Sequence, residues 1–94
     1  MINTKAKESR KIHWIKKRLE GMGFYVVLSR ASLGPFDLVA LNAAGVLLIQ
    51  VKCNSYPDAA ESETLYNFNR MPLNAKKQVW MFSDGKREPA VKDY

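Results

Sequence analysis

Cysteine is nearly absent from this sequence, and the one present, Cys53, has no partner for a disulfide within the chain. That fits a reducing setting, so a cytoplasmic location is expected. Long apolar runs are missing too. Runs such as Gly45 to Ile49 and Val79 to Phe82 are far too short to span a bilayer, and no membrane role is expected. The first residues, Met1-Ile2-Asn3-Thr4-Lys5, lack the apolar core of a signal peptide. His13 is the only histidine, and no other residue stands at metal-ligand spacing from it, so it is read as a surface residue. There is no internal repeat, no low-complexity tract and no break in composition. The 94 residues are therefore expected to form a single domain, 1–94. A domain of this size has a marginal core, which makes a dimer a natural expectation.

Acids are scarce where bases are dense. Residues 1–30 hold eight basic residues (Lys5, Lys7, Arg10, Lys11, Lys16, Lys17, Arg18 and Arg30) against two acids, Glu8 and Glu20. The whole formal charge of +6 lies there, since the remaining residues carry seven of each sign. Concentrated positive charge is what a polyanion-binding face requires, because each neutralised phosphate releases counterions. A solvated helix face has the same composition, so charge alone suggests nucleic acid without establishing it.

The spacing of Ile12, Ile15, Leu19 and Met22 predicts a helix that starts near Thr4 or Lys5 and stops at Gly21-Met22-Gly23. Extended backwards by four, the stripe lands on Glu8. Strands are predicted at Phe24–Leu28, Phe36–Leu41 and Val46–Lys52, the last two joined through Asn42-Ala43-Ala44-Gly45 by a loop of three to five residues. Asn54 to Ala75 reads as a long connection with a helical turn around Glu61 to Phe68. Val79–Phe82 is a further strand, Ser83 to Lys86 a turn, and Pro89–Tyr94 a short edge strand. The order implies an α/β fold, with the N-terminal helix packed on a mixed central β-sheet.

On the third strand Leu48, Gln50 and Lys52 share one face, while Leu47, Ile49 and Val51 share the other. A glutamine and a lysine in a short central strand need a reason. Asp37, at the start of the preceding strand, is expected opposite the end of this one. With an inward Glu8, four polar groups (Glu8, Asp37, Gln50, Lys52) would converge, and burying them without a ligand is costly. Metal-assisted phosphodiester hydrolysis suits such a cluster. Mg²⁺ (or Mn²⁺) takes hard oxygen ligands and needs only one or two carboxylates. Asp37, the Gln50 amide oxygen and the Val51 backbone carbonyl could supply them, with Glu8 acting through water. Lys52 could orient the attacking water or offset charge in the transition state. Other readings exist for single residues. Glu8 also suits a helix N-terminus electrostatically, and Lys52 suits a strand end that reaches water. Arg30 and Ser32 could contact the scissile phosphate or be plain loop residues. Cys53 points away from Lys52 and reads as a small core residue, while Trp14 and Trp80 read as packing residues.

The stretches Gly34-Pro35-Phe36-Asp37-Leu38-Val39-Ala40 and Leu48-Ile49-Gln50-Val51-Lys52, with Gln50 thirteen positions after Asp37, resemble the Asp…(Glu)-x-Lys core of the PD-(D/E)xK nucleases. The resemblance is in particular to the archaeal Holliday-junction resolvases and their small phage-type and virus-type replication-repair relatives. It extends over roughly residues 5–53, with Glu8 and Gly23-Phe24 in the family's order. It implies a restriction-endonuclease-like core and an Mg²⁺-dependent endonuclease whose products carry a 5′-phosphate and a 3′-hydroxyl. The implied partners are DNA, with a branched duplex as the first substrate to try, and a second copy in a homodimer. Lys5, Lys7, Arg10, Lys11, Lys16, Lys17, Arg30 and Ser32 would then contact DNA. The chain departs from the family at position 50, where glutamine replaces the usual acid, removing a full negative charge. Two other readings therefore stay open: a sequence-specific homing- or restriction-type endonuclease, and a non-catalytic DNA-binding module with a degenerate site.

Overall fold

The computed structural model describes the backbone of residues 4–29 and 34–94, with side chains from Ser9 onward. The first helix, α1 (Thr4–Gly21), buries Ile15 and Leu19 fully and Ile12 in part. Met22 does not continue the apolar stripe. It is 63% exposed because the helix has already ended. The terminus is a Schellman motif: Phe24 N–H donates to Leu19 O, Gly23 N–H donates to Glu20 O, and Gly23 takes φ +94°. A side chain at position 23 would be strained there, and Phe24 packs back on the core that holds Leu19.

Five strands form one sheet in the order β1 (Tyr25–Leu28), β2 (Leu38–Asn42), β3 (Gly45–Cys53), β4 (Ala75–Phe82) and β5 (Ala90–Asp93). All neighbours are antiparallel except β3 and β4, which run parallel and are connected through α2 (Ala59–Asn67). The expected mixed α/β sheet is present; most strand ends shift by one or two residues, and three larger departures stand out. The β2–β3 connection is shorter than expected, only Ala43 and Ala44, because the Asn42 side chain accepts the N–H groups of Ala44 and Gly45 and closes the turn. The helical turn after β3 is a nine-residue helix capped by Asp58, whose Oδ1 accepts the Glu61 N–H. The fourth strand begins at Ala75 rather than Val79. Gly45 is required where β3 starts, since a Cβ there would lie 2.3 Å from the Asn74 carbonyl oxygen.

Alternation along the strands gives the sheet two apolar faces. One packs under α1 and contains Val26, Leu38, Ala40, Ile49, Val51, Trp80 and Phe82. On the other, Phe36, Leu48 and Val79 pack against Leu65 of α2. Cys53 packs with the α1-side core and carries a free thiol, and Trp14 meets Phe82 edge-on at 5.6 Å. Both tryptophans are packing residues, as expected. Val79-Trp80-Met81-Phe82 cannot form an interface between copies. β4 lies inside the sheet, and Val79, Trp80 and Phe82 are already buried by the chain itself. Among the described residues no helix is long and apolar enough to cross a membrane.

Candidate active site

β3 carries the centre of the site because it is flanked on both sides by paired strands. Its α2-facing positions are Leu48, Gln50 and Lys52, the first buried in the core and the next two approaching the strand's end. β2 approaches from the antiparallel side. The Leu38–Ile49 pairing, extended by one residue, sets Asp37 opposite Gln50, and the Asp37 N–H donates to Ile49 O at 2.8 Å. Asp37 is therefore held by the ladder although β2 starts one residue later, and its carbonyl also accepts the Ser29 N–H at 2.9 Å.

The Asp37 side chain turns across the sheet, and its Oδ2 accepts the Val51 N–H at 2.7 Å. Burial pushes the carboxyl above its ordinary range. The Val51 hydrogen bond and the charge of Lys52 act in the opposite direction without cancelling it. Beside it, Gln50 Oε1 is the one buried side-chain oxygen or nitrogen among the described residues that lacks a hydrogen-bond partner. Such an atom costs about 1–3 kcal/mol if nothing compensates it. A bound ion or an ordered water would supply the missing contact.

Lys52 donates to Glu61 Oε2 at 2.5 Å, with its side chain 25% exposed. The sequence reading did not single out Glu61. The signal was present: Glu61, Leu65 and Phe68 recur at spacings of four and three, and Leu65 is buried under the same face of α2. The far end of α2 is fixed by Lys77. Only 7% exposed, it donates to the carbonyls of Leu65, Tyr66 and Phe68 at 2.6, 2.9 and 3.0 Å.

Asp37, Gln50 and Lys52 are thus brought together. The Glu8 side chain lies outside the described residues, as do those of Lys5, Lys7, Arg30 and Ser32. α1 covers the sheet face opposite to Gln50 and Lys52. It nevertheless runs toward the same end of the sheet, since Lys11 lies over the Phe82 ring and Phe82 pairs with Cys53. Along α1, Arg10 and Lys17 are exposed, Lys16 bonds Glu20 at 3.1 Å, and Arg18 makes a two-pronged contact with Glu88.

The donor set fits a hard divalent cation: one half-buried carboxylate, one orphaned amide oxygen and the adjacent backbone carbonyl, with room in the coordination sphere for water. Among the described residues no three His, Cys, Asp or Glu side chains cluster, which argues against a closed structural site. A cavity at the hairpin end, near Asn42 and Asn74, holds no such set. An open groove lies between Gly34-Pro35 and Asn67 to Arg70, at the far end of α2 from Glu61.

No protein-family model and no curated protein matches the sequence. Among solved structures the chain matches Hjc of Archaeoglobus fulgidus, a Holliday junction resolvase from an archaeal hyperthermophile. The TM-score is 0.68 and the identity 26%, over 90% of this chain and 72% of that one. The fold is that of the PD-(D/E)xK nucleases. In this chain Asp37 lies one residue before β2, and Gln50-Val51-Lys52 lie on β3.

Proposed function

We propose that this protein is a divalent-metal-dependent DNA endonuclease that cuts branched duplexes such as four-way junctions. The observation that carries the reading is the pairing of an anchored, half-buried Asp37 carboxylate with the orphaned Gln50 oxygen on the face that also presents Lys52. The likeness to a Holliday junction resolvase supports the substrate class.

In this reading Asp37, Gln50 Oε1 and the Val51 carbonyl hold Mg²⁺ or Mn²⁺, with Glu8 assisting through water. The ion supplies polarisation of the phosphate and a lowered pKa for water. Asp37 keeps its carboxylate fixed through the Val51 N–H, so no reorganisation is needed as charge develops. Lys52 orients the attacking water or offsets charge on the phosphoryl oxygens. Arg10, Lys11, Lys16 and Lys17 track the DNA backbone, joined by Lys5, Lys7, Arg30 and Ser32. The groove beside Asn67 to Arg70 offers a path for one strand.

Resolving a junction takes two cuts, so the reading includes a C2 homodimer. Tyr25, Val27 and Leu41, exposed together on the β1–β2 face and next to the free edge of the sheet, form its apolar contact. Sedimentation at tens of micromolar tests this: a monomer there, with cleavage first order in enzyme, contradicts it. The activity itself is tested by nicking of a four-way junction and of linear duplex with Mg²⁺, Mn²⁺, Ca²⁺ or excess EDTA. Cleavage with Mg²⁺ or Mn²⁺ only, favouring the junction, is expected. The missing charge at Gln50 favours one rival, a DNA-binding module without catalysis, which would bind the junction and cut under none of these conditions.

A further inference from the structure

Without an acid at position 50, the strand-borne part of the site is electrically neutral: Asp37 and Lys52 cancel and Gln50 adds nothing. A dication gains little from such a site. Among the described residues, Glu61 also reaches it, with its Oε2 2.5 Å from Lys52 Nζ. This contact is not a chance pairing of two flexible surface chains. Glu61 is the third residue of α2, and its N–H is fixed by the Asp58 cap. An acid at that helix position commonly folds back onto the N-terminal N–H group. Here it turns to the sheet instead, one helical turn before the buried Leu65. The opposite end of the helix is locked by three hydrogen bonds from Lys77. The helix is thus held at both ends with Glu61 directed at Lys52.

We propose that Glu61 is the second acid of the site, supplying from α2 the negative charge that Gln50 lacks and holding Lys52 Nζ in place as a positioning residue. With Glu61 counted, the site returns to one net negative charge, the balance that Asp, Glu and Lys give when the acid sits on the strand. The inference rests on the metal-dependent reading above and deepens it.

The test is metal affinity, measured on the intact DNA-free protein by Mn²⁺ electron paramagnetic resonance, for the wild type, Glu61→Gln, Gln50→Glu and the double variant. Glu61→Gln is expected to weaken Mn²⁺ binding about tenfold, the order for removing one unit charge from a partly exposed site. Gln50→Glu in that background is expected to restore wild-type affinity, and alone to tighten it without disturbing α2. Lysine-selective NMR adds a second readout, since the Lys52 Nζ protons should exchange faster with water once Glu61 is neutral. Wild-type Mn²⁺ affinity in Glu61→Gln, with unchanged Lys52 exchange, overturns the inference and leaves the nuclease reading standing. No Mn²⁺ binding by the wild type removes both. Should Glu61→Gln melt α2, an unchanged affinity in Gln50→Glu still overturns the inference, because it shows that charge at this site does not govern the ion.

Discussion

The Val51 N–H donates to Asp37 Oδ2 at 2.7 Å, so a carboxylate one residue before β2 is fastened to the backbone of β3 one residue from Gln50 and one from Lys52. This bond orients the acid while burial makes its charged form unfavourable. The folded protein thus carries a destabilising charge at a fixed place, as expected where function rather than stability sets the residue.

Asp37→Asn should therefore be more stable than the wild type at pH 7 without divalent metal. Asparagine can still accept the Val51 N–H and carries no charge to desolvate. The folded pKa of Asp37 is raised, so its penalty is absent below the unfolded value, grows as pH rises through the folded value, and is constant above it. The advantage of the variant should vanish near pH 3, where an ordinary aspartate is largely protonated, to within about a unit. Saturating Mg²⁺ should narrow or reverse the difference, since only the wild type gains from binding. Thermal melts at the two pH values, with and without Mg²⁺, check this, and a variant less stable at pH 7 would contradict it.

Lys77→Met should destabilise the fold by roughly 3 kcal/mol or more. It strands the carbonyls of Leu65, Tyr66 and Phe68, each at about 1–3 kcal/mol where buried, and removes a favourable cation from a helix C-terminus. Urea unfolding measures the loss. A change below about 1 kcal/mol would mean that water replaces the lysine.

Much of this arrangement was legible in the sequence, and the gaps have physical causes. The α1 stripe, the three strands around Asp37 and Gln50-Val51-Lys52, and the face shared by Gln50 and Lys52 all follow from periodicity of 3.6 or 2. The end of the helix was legible from its glycines, yet Met22 was misassigned because a stripe cannot show that a Schellman motif has already turned the chain. The polar run Lys76-Lys77-Gln78 hid the start of β4, since Lys77 is buried by hydrogen bonds to carbonyls that only the tertiary fold supplies. Glu61 went unread because its partner, Lys52, is nine residues away across the turn into α2.

On the proposed DNA-binding face, replacing Arg10 and Lys17 together by alanine should flatten the slope of log affinity against log salt by up to about two units if both meet phosphate. Lys16→Ala should do less, because Lys16 already bonds Glu20. Fluorescence anisotropy across a salt series measures both, and an unchanged slope in the double variant would place the DNA on another face.

The central claim is that Asp37, Gln50 and Lys52 form a metal-dependent cutting site. Titration of Mg²⁺ against cleavage of a four-way junction, for the wild type, Asp37→Ala, Lys52→Ala and Gln50→Glu, tests it most directly. The account predicts cleavage that EDTA abolishes, losses of roughly a hundredfold or more in both alanine variants with junction binding retained, and half-saturation at lower Mg²⁺ for Gln50→Glu. Cleavage that persists in EDTA, or alanine variants that cut like the wild type, would contradict it.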